Sequence, residues 1–127
     1  WGRIISITSS GVEQPIPNLA LSNGIRSAVV GWSKTLASEV AGDGITVNVV
    51  MPGRIHTQRV DELDAAAAKR TDSDVAEVSA KSRATIPAGR YGKPEEFADV
   101  VTFLASARAS YVTGSRIRID GGAIKGV

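Results

Sequence analysis

Apolar residues recur along this chain with two alternating periods, one close to two residues and one close to 3.6. Ile4, Ile5 and Ile7 fall within residues 3–8. Their β-branched content, with little polar alternation, predicts a strand buried on both faces, as in a parallel sheet. Ser9-Ser10-Gly11 ends it, and Pro15 and Pro17 keep residues 13–17 irregular. A long helix is predicted from an Asn18 N-cap to about Ala41. Its apolar stripe is Leu21, Ile25, Ala28, Val29, Trp32, Leu36 and Val40. Val30 and Ala37 widen the stripe, so the helix is expected to touch more than one neighbour. Gly24 and Gly31 each cost about 1 kcal/mol against Ala inside a helix, which predicts close approach there by another backbone or a ligand.

Gly42-Asp43-Gly44 stops the helix, and residues 45–50 read as a second strand closed by Pro52-Gly53. From Arg54 to about Ala84 the pattern is weak and polar. Only residues 60–69, with Leu63 and Ala65 to Ala68, carry a helical signal, and the segment is expected to be a mobile, lid-like excursion. Pro94 followed by Glu95 and Glu96 marks a helix start. Phe97, Val100, Val101 and Leu104 give that helix its apolar face. Residues 116–119 alternate cleanly as a last strand, and Asp120-Gly121-Gly122 turns the chain. Strand, helix, strand, irregular helix, helix, strand is the order of a doubly wound α/β parallel sheet.

Composition narrows what such a sheet can do. The 127 residues suffice for one small domain. Cysteine is absent and His56 is the single histidine, which excludes a disulfide scaffold, a thiolate nucleophile and a His-rich metal site. No His/Asp/Glu cluster supports a metal-dependent hydrolase. The 15 basic and 13 acidic residues leave a net charge of +2. The basic residues are scattered, with no interleaved aromatics, so no nucleic acid is expected as a partner. No apolar run approaches the ~20 residues that cross a bilayer, and no membrane partner is expected. The start lacks a basic-then-apolar leader, so the expected location is cytoplasmic. The chain opens on Trp1 and runs at once into a strand, which predicts the later part of a longer chain.

In an open α/β sheet, ligands bind beyond the carboxyl ends of the strands. One such end supplies Ser9; the other supplies Pro52-Gly53, Arg54, Ile55, His56 and Thr57. Ser22 and Arg26 lie four residues apart, on one face near the start of the long helix. These residues are expected to line one crevice. His56, the single histidine, also lies in this loop.

Five motifs carry a family resemblance: RIISITS (3–9), AVVGWSKTLA (28–37), GITVNVVMPG (44–53), GRYGKPEE (89–96), and YVTG (111–114) leading to Asp120-Gly121-Gly122. In this order they resemble the C-terminal half of a short-chain dehydrogenase/reductase of the 3-oxoacyl-acyl-carrier-protein reductase-like group. The resemblance spans nearly the whole chain. It implies residues 1–127 as the C-terminal part of a single NAD(P)-binding Rossmann-like domain. The N-terminal dinucleotide-binding half, with its Gly-rich phosphate loop, is absent from these residues; no G-x-G-x-x-G occurs. The implied activity moves hydride between NADP or NAD and a small-molecule carbonyl/alcohol pair, in a homo-tetramer built on the long helix and on the last strand with its preceding helix.

In that family a Ser after the strand and a Tyr-x-x-x-Lys on the next helix do the chemistry. Ser9 matches the Ser. Counting thirteen residues on gives Ser22, and four more give Arg26. The phenol and the ammonium are thus replaced by Ser22 and Arg26. The resemblance implies Ser9, Ser22 and Arg26 at the catalytic positions. It implies Arg26, Pro52, Gly53, Ile55 and Thr57 beside the cofactor, and no metal. The replacement leaves an alternative open: a member that binds nucleotide or assembles without normal turnover.

Overall fold

The computed structural model describes residues 1–126. Three parallel strands, β1 (Gly2–Ile7), β2 (Ile45–Pro52) and β3 (Arg116–Ile119), form a sheet in that order. β2 is central, pairing Ile4 with Val47 on one edge and Val50 with Ile117 on the other. Helix α1 (Ala20–Val40) joins β1 to β2, and helices α2 (Gln58–Thr71), α3 (Val75–Ala84) and α4 (Pro94–Ala105) fall between β2 and β3.

Alternate residues of β2 serve opposite layers, as the strand period requires. Val47 and Val49 face Val30 and Ser33 of α1. Val50 packs with Leu104 of α4 and Ala109, and Ile5, Phe97, Val100, Val101, Ile117 and Ile119 surround that cluster. The α4 face and the β3 alternation therefore stand as the sequence predicts.

Four expectations need correction. The N-cap of α1 is Leu19, without a side-chain cap bond, while Asn18 sits at φ 65° in the turn before it. The side chain of Asn23 holds that turn by donating to Ile16 O at 3.1 Å. The apolar stripe of α1 is not its core face: Leu21, Ile25 and Trp32 are exposed, and the buried residues are Ser33 and Ala37. Small side chains let the helix lie close on β2, which larger ones would prevent. Gly24 and Gly31 face open space, with nothing within 4 Å of where a Cβ would stand. β1, expected to be covered on both faces, is an edge strand with Ile4 and Ile7 exposed.

The weakly patterned segment after β2 folds as two helices. α2 exceeds the expected 60–69 at both ends, and α3, which the sequence did not announce, is capped by Asp74 accepting from Ala76 N at 2.7 Å. Val60 of α2 packs with Ile86 and Tyr91 in a second small core.

Asn48 is buried in β2 and ties β3 to it. Its Nδ2 donates to Val112 O at 2.7 Å and its Oδ1 accepts from Ser115 N at 3.1 Å. Asn48→Leu leaves both backbone groups unpaired and should lower unfolding stability in urea by about 2–4 kcal/mol, since each buried orphan costs about 1–3. A loss below about 1 kcal/mol would show that water replaces the amide there.

Candidate active site at the strand ends

β1 ends where Thr8 N donates to Val50 O at 2.9 Å, so Ser9 begins the departure from the sheet. Ser9 is extended (φ −164°) and its Oγ accepts from Gly11 N at 3.1 Å, capping a single 3₁₀ turn, Ser10–Val12. A hydroxyl in that role still has its own proton to donate. The turn abuts the start of α1 so closely that a Cβ on Gly11 would stand 2.8 Å from Asn23 Oδ1. On the same first turns of α1, the guanidinium of Arg26 donates to Ser22 Oγ in a short contact, and both residues are half-buried. Helical spacing of four residues puts the two side chains one above the other.

The second strand end is held against β3. Gly53 N donates to Ile119 O at 2.9 Å, and a Cβ on Gly53 would meet Asp120 Cα at 2.7 Å. Only glycine fits this approach. The chain beyond it is held by residues 90–92: Gly92 N donates to Arg54 O at 2.9 Å and His56 N donates to Gly92 O at 2.8 Å. Pro52, Gly53 and Ile55 are half-buried and Thr57 is exposed. Thr57 precedes α2 as its N-cap, yet its hydroxyl makes no cap bond and remains available. His56 Nε2 lies 3.0 Å from Asp61 Oδ1, with both side chains exposed. A cavity of about 330 Å³ opens at the ends of β2 and β3 between Arg54, Ile55, Gly92, Glu96 and Asp120. A groove of about 380 Å³ between α1 and the beginnings of β2 and β3 lies away from these ends.

Ser9 and the Ser22–Arg26 pair thus stand at the β1 end, and residues 52–57 at the adjacent β2 end. Their donor set suits a ligand rich in hydroxyl, amide and phosphate oxygens. A guanidinium carries five N–H donors, of which Ser22 takes one, and the Thr57 hydroxyl is open. Neither tyrosine joins them: Tyr91 is buried and donates to Asp64 Oδ2 at 2.7 Å, and Tyr111 is fully exposed. The sequence reading missed Asp64, a buried carboxylate that also accepts from Arg54 Nη1 at 3.2 Å. Nothing in the polar α2 stretch signals that this acid, among several, turns inward. Among the described residues no group of three or more His, Cys, Asp or Glu is placed to hold a metal, and no helix is long and apolar enough to cross a membrane.

The chain resembles known proteins over nearly all of its length. Residues 1–123 match the family model described as Enoyl-(Acyl carrier protein) reductase. A 3-oxoacyl-[acyl-carrier-protein] reductase of Thermotoga maritima is 46% identical over 123 residues, 97% of this chain and 46% of that protein. One from Rickettsia bellii is 39% identical over 122 residues, 96% of this chain and 46% of its own. The chain spans about half the length of the curated relatives it matches. Among solved structures, the NADPH-dependent reductase YwfH of bacilysin biosynthesis superposes with a TM-score of 0.94 at 33% identity, over 100% of this chain and 48% of that one. The L-sorbose reductase of Gluconobacter frateurii, solved with NADPH and L-sorbose, gives 0.91 at 34% identity, over 99% and 49%.

The cavity wall also contains a strong surface ion pair. Arg90 forks onto Glu96 at 2.6 and 2.8 Å, and Lys93 N donates to the same carboxylate at 2.7 Å. The Arg90 bonds first, and the Lys93 amide second, hold the Glu96 carboxyl down at about 2. The same pairing raises Arg90. Because the folded value lies below the ordinary one of about 4.3, the pair's contribution is present above that value and is lost as pH falls through about 2. A carboxyl NMR titration should find the Glu96 midpoint well under the ordinary range, with Arg90→Gln moving it upward. An unshifted midpoint in the parent would contradict the pairing.

Proposed function

We infer the function of this chain from its family: it belongs to the short-chain dehydrogenase/reductase family, in the 3-oxoacyl-acyl-carrier-protein reductase-like group. We propose that it works as an NAD(P)-dependent oxidoreductase reducing a carbonyl, 3-oxoacyl or similar, to an alcohol. Residues 1–127 then form the C-terminal part of a single NAD(P)-binding Rossmann-like domain. Among the described residues β1 pairs along one edge only, which suits further strands on its other side. What supports the reading is that Ser9, followed by the Ser22–Arg26 pair on α1, lies beyond the end of β1, and residues 52–57 lie at the end of the adjacent strand β2. NADPH in the Gluconobacter L-sorbose reductase supports the cofactor class.

When bound, the dinucleotide supplies the hydride. Everything else is done by the chain. Ser9 donates its hydroxyl to the substrate oxygen. Arg26, permanently charged, holds ribose or phosphate oxygens while fixing Ser22. Pro52 and Gly53 shape the loop that receives the nicotinamide, with Ile55 packing against it and Thr57 donating to it. Ser22 relays a proton but is a far weaker acid than a phenol, whose ordinary pKa is ~10.

The direct test is carbonyl-dependent NAD(P)H oxidation by the complete protein. Cofactor binding without turnover over a broad carbonyl panel would overturn the reading in favour of a nucleotide-binding member. The chemical gap is itself testable. Ser22→Tyr with Arg26→Lys restores phenol and ammonium one helical turn apart, with open space beside Gly24. General acid catalysis contributes ~10²–10⁴-fold, so the double variant should gain reductase activity on that order. A folded, cofactor-binding variant without gain would show that the crevice has diverged beyond this pair. A parent already fully active would point to another acid, with His56, paired to Asp61, the first to substitute.

Assembly follows from the surface left over. Leu21, Ile25 and Trp32 make an exposed apolar stripe on α1, and the outer edge of β3 is unpaired among the described residues. Both suit self-association about perpendicular two-fold axes. We expect light scattering to give a homo-tetramer at micromolar concentration; a monomer would refute it.

A further inference from the structure

Asp64 is the one charged side chain buried among the described residues, 4% exposed. A buried carboxylate is tolerated only where hydrogen bonds and an opposite charge replace its water. Here both come from outside α2. Arg54 Nη1 donates to Oδ1 at 3.2 Å from ten residues earlier in the chain, and Tyr91 OH donates to Oδ2 at 2.7 Å from 27 residues later. These two partners belong to segments that already touch through the backbone bonds of Gly92 with Arg54 and His56. That contact is one isolated bridge, Ile55 with Gly92, not a strand pair. A bridge with two hydrogen bonds and an exposed neighbour is marginal by itself.

The surroundings make the carboxylate a fixed anchor. The Tyr91 ring is buried against Val60 and Ile86, and the Arg83 guanidinium stands 5.8 Å from its centre. The Tyr91 hydroxyl is therefore held in place before Asp64 meets it. Gly92 allows Ile55 so near that a Cβ would stand 2.8 Å from Ile55 Cδ1. Asp64 thus closes a ring: α2, residues 54–56 and residues 90–92 are each joined to the other two.

We propose that Asp64 is a positioning residue: through Arg54 and Tyr91 it locks residues 54–56 in the conformation that receives the nicotinamide end of the cofactor. The cofactor clause rests on the oxidoreductase reading above; the locking clause does not. Asp64 touches no reactant. It acts by keeping Ile55 and the Thr57 hydroxyl where a ligand meets them, so its removal weakens dinucleotide binding more than it unfolds the protein.

The test uses Asp64→Asn and Tyr91→Phe in the complete protein. Asparagine keeps the shape but removes the charge facing Arg54; phenylalanine keeps the ring packing and removes only the hydroxyl. Amide hydrogen exchange is read at His56 and Gly92, with Val49 of β2 as the core reference. Hydrogen bonds to charged groups carry enough energy that Asp64→Asn should speed exchange at His56 and Gly92 about tenfold. Val49 should change less than about twofold. The Kd for NADPH, followed by fluorescence, should rise about tenfold, with Tyr91→Phe shifting both readouts less in the same direction. Unchanged exchange at His56 and Gly92 overturns the proposal, as does equal acceleration at Val49, which would mean general destabilisation. A loosened loop with unaltered NADPH affinity overturns the positioning role. If the parent itself binds no dinucleotide, the oxidoreductase reading fails, and the exchange readout alone decides whether Asp64 holds the loop.

Discussion

Because β2 is paired along both edges and covered on both faces, its inner side chains have no access to water. Val47, Val50 and Met51 are fully buried, and so is the one amide among them, Asn48. An unpaired amide in that position would cost more than any neighbouring apolar contact returns. Asn48 therefore has to find a donor and an acceptor, and it finds them in residues 112–115. With Gly114 N donating to Val47 O at 2.7 Å and Val49 N to Ser115 O at 2.9 Å, the entry to β3 is fixed in register. Register then propagates upward: Ile117 lies beside Val50, Ile119 beside Pro52, and Asp120 against Gly53. The position of the loop at the candidate site follows from an amide buried half a strand below it.

How much of this the sequence discloses depends on whether a residue's pattern and its environment agree. β3 and α4 are legible because each has one apolar face that meets the core in the same chain: Ile117 and Ile119 alternate, and Phe97, Val100, Val101 and Leu104 recur helically. α1 misleads because its strongest apolar stripe, Leu21, Ile25 and Trp32, is not the side that lies on β2. Ser33 and Ala37 are, and small residues give no hydrophobic signal. α3 escapes notice because only Val75 and Val78 are large and apolar, and its start rests on the Asp74 cap. Asp64 is illegible for a different reason. Its burial is created by Arg54 and Tyr91, residues whose nearness in space has no trace in their spacing along the chain.

The candidate site shows the same division. Spacing alone put Ser22 and Arg26 on one helical face, and they meet directly. Ser22 and Arg26 fit each other. A seryl oxygen stands close to the helix, out of reach of a cation that points away from it, but Arg carries a long stem and a planar fork that folds back over one turn. A short hydroxyl and a long cation thus form a closed pair where a long phenol and an ammonium would each reach outward. Closure keeps the positive charge of Arg26 at this turn of α1, and under the proposed function that charge attracts ribose or phosphate oxygens. It does not preserve an acid that gives up its proton near neutral pH, since Ser is too weak and Arg holds its proton throughout that range. On the proposed reading, binding and proton transfer fall to different groups. Under the proposed function, Arg26 and the loop beyond Gly53 serve the first. The second is left to relay through the Ser22 hydroxyl.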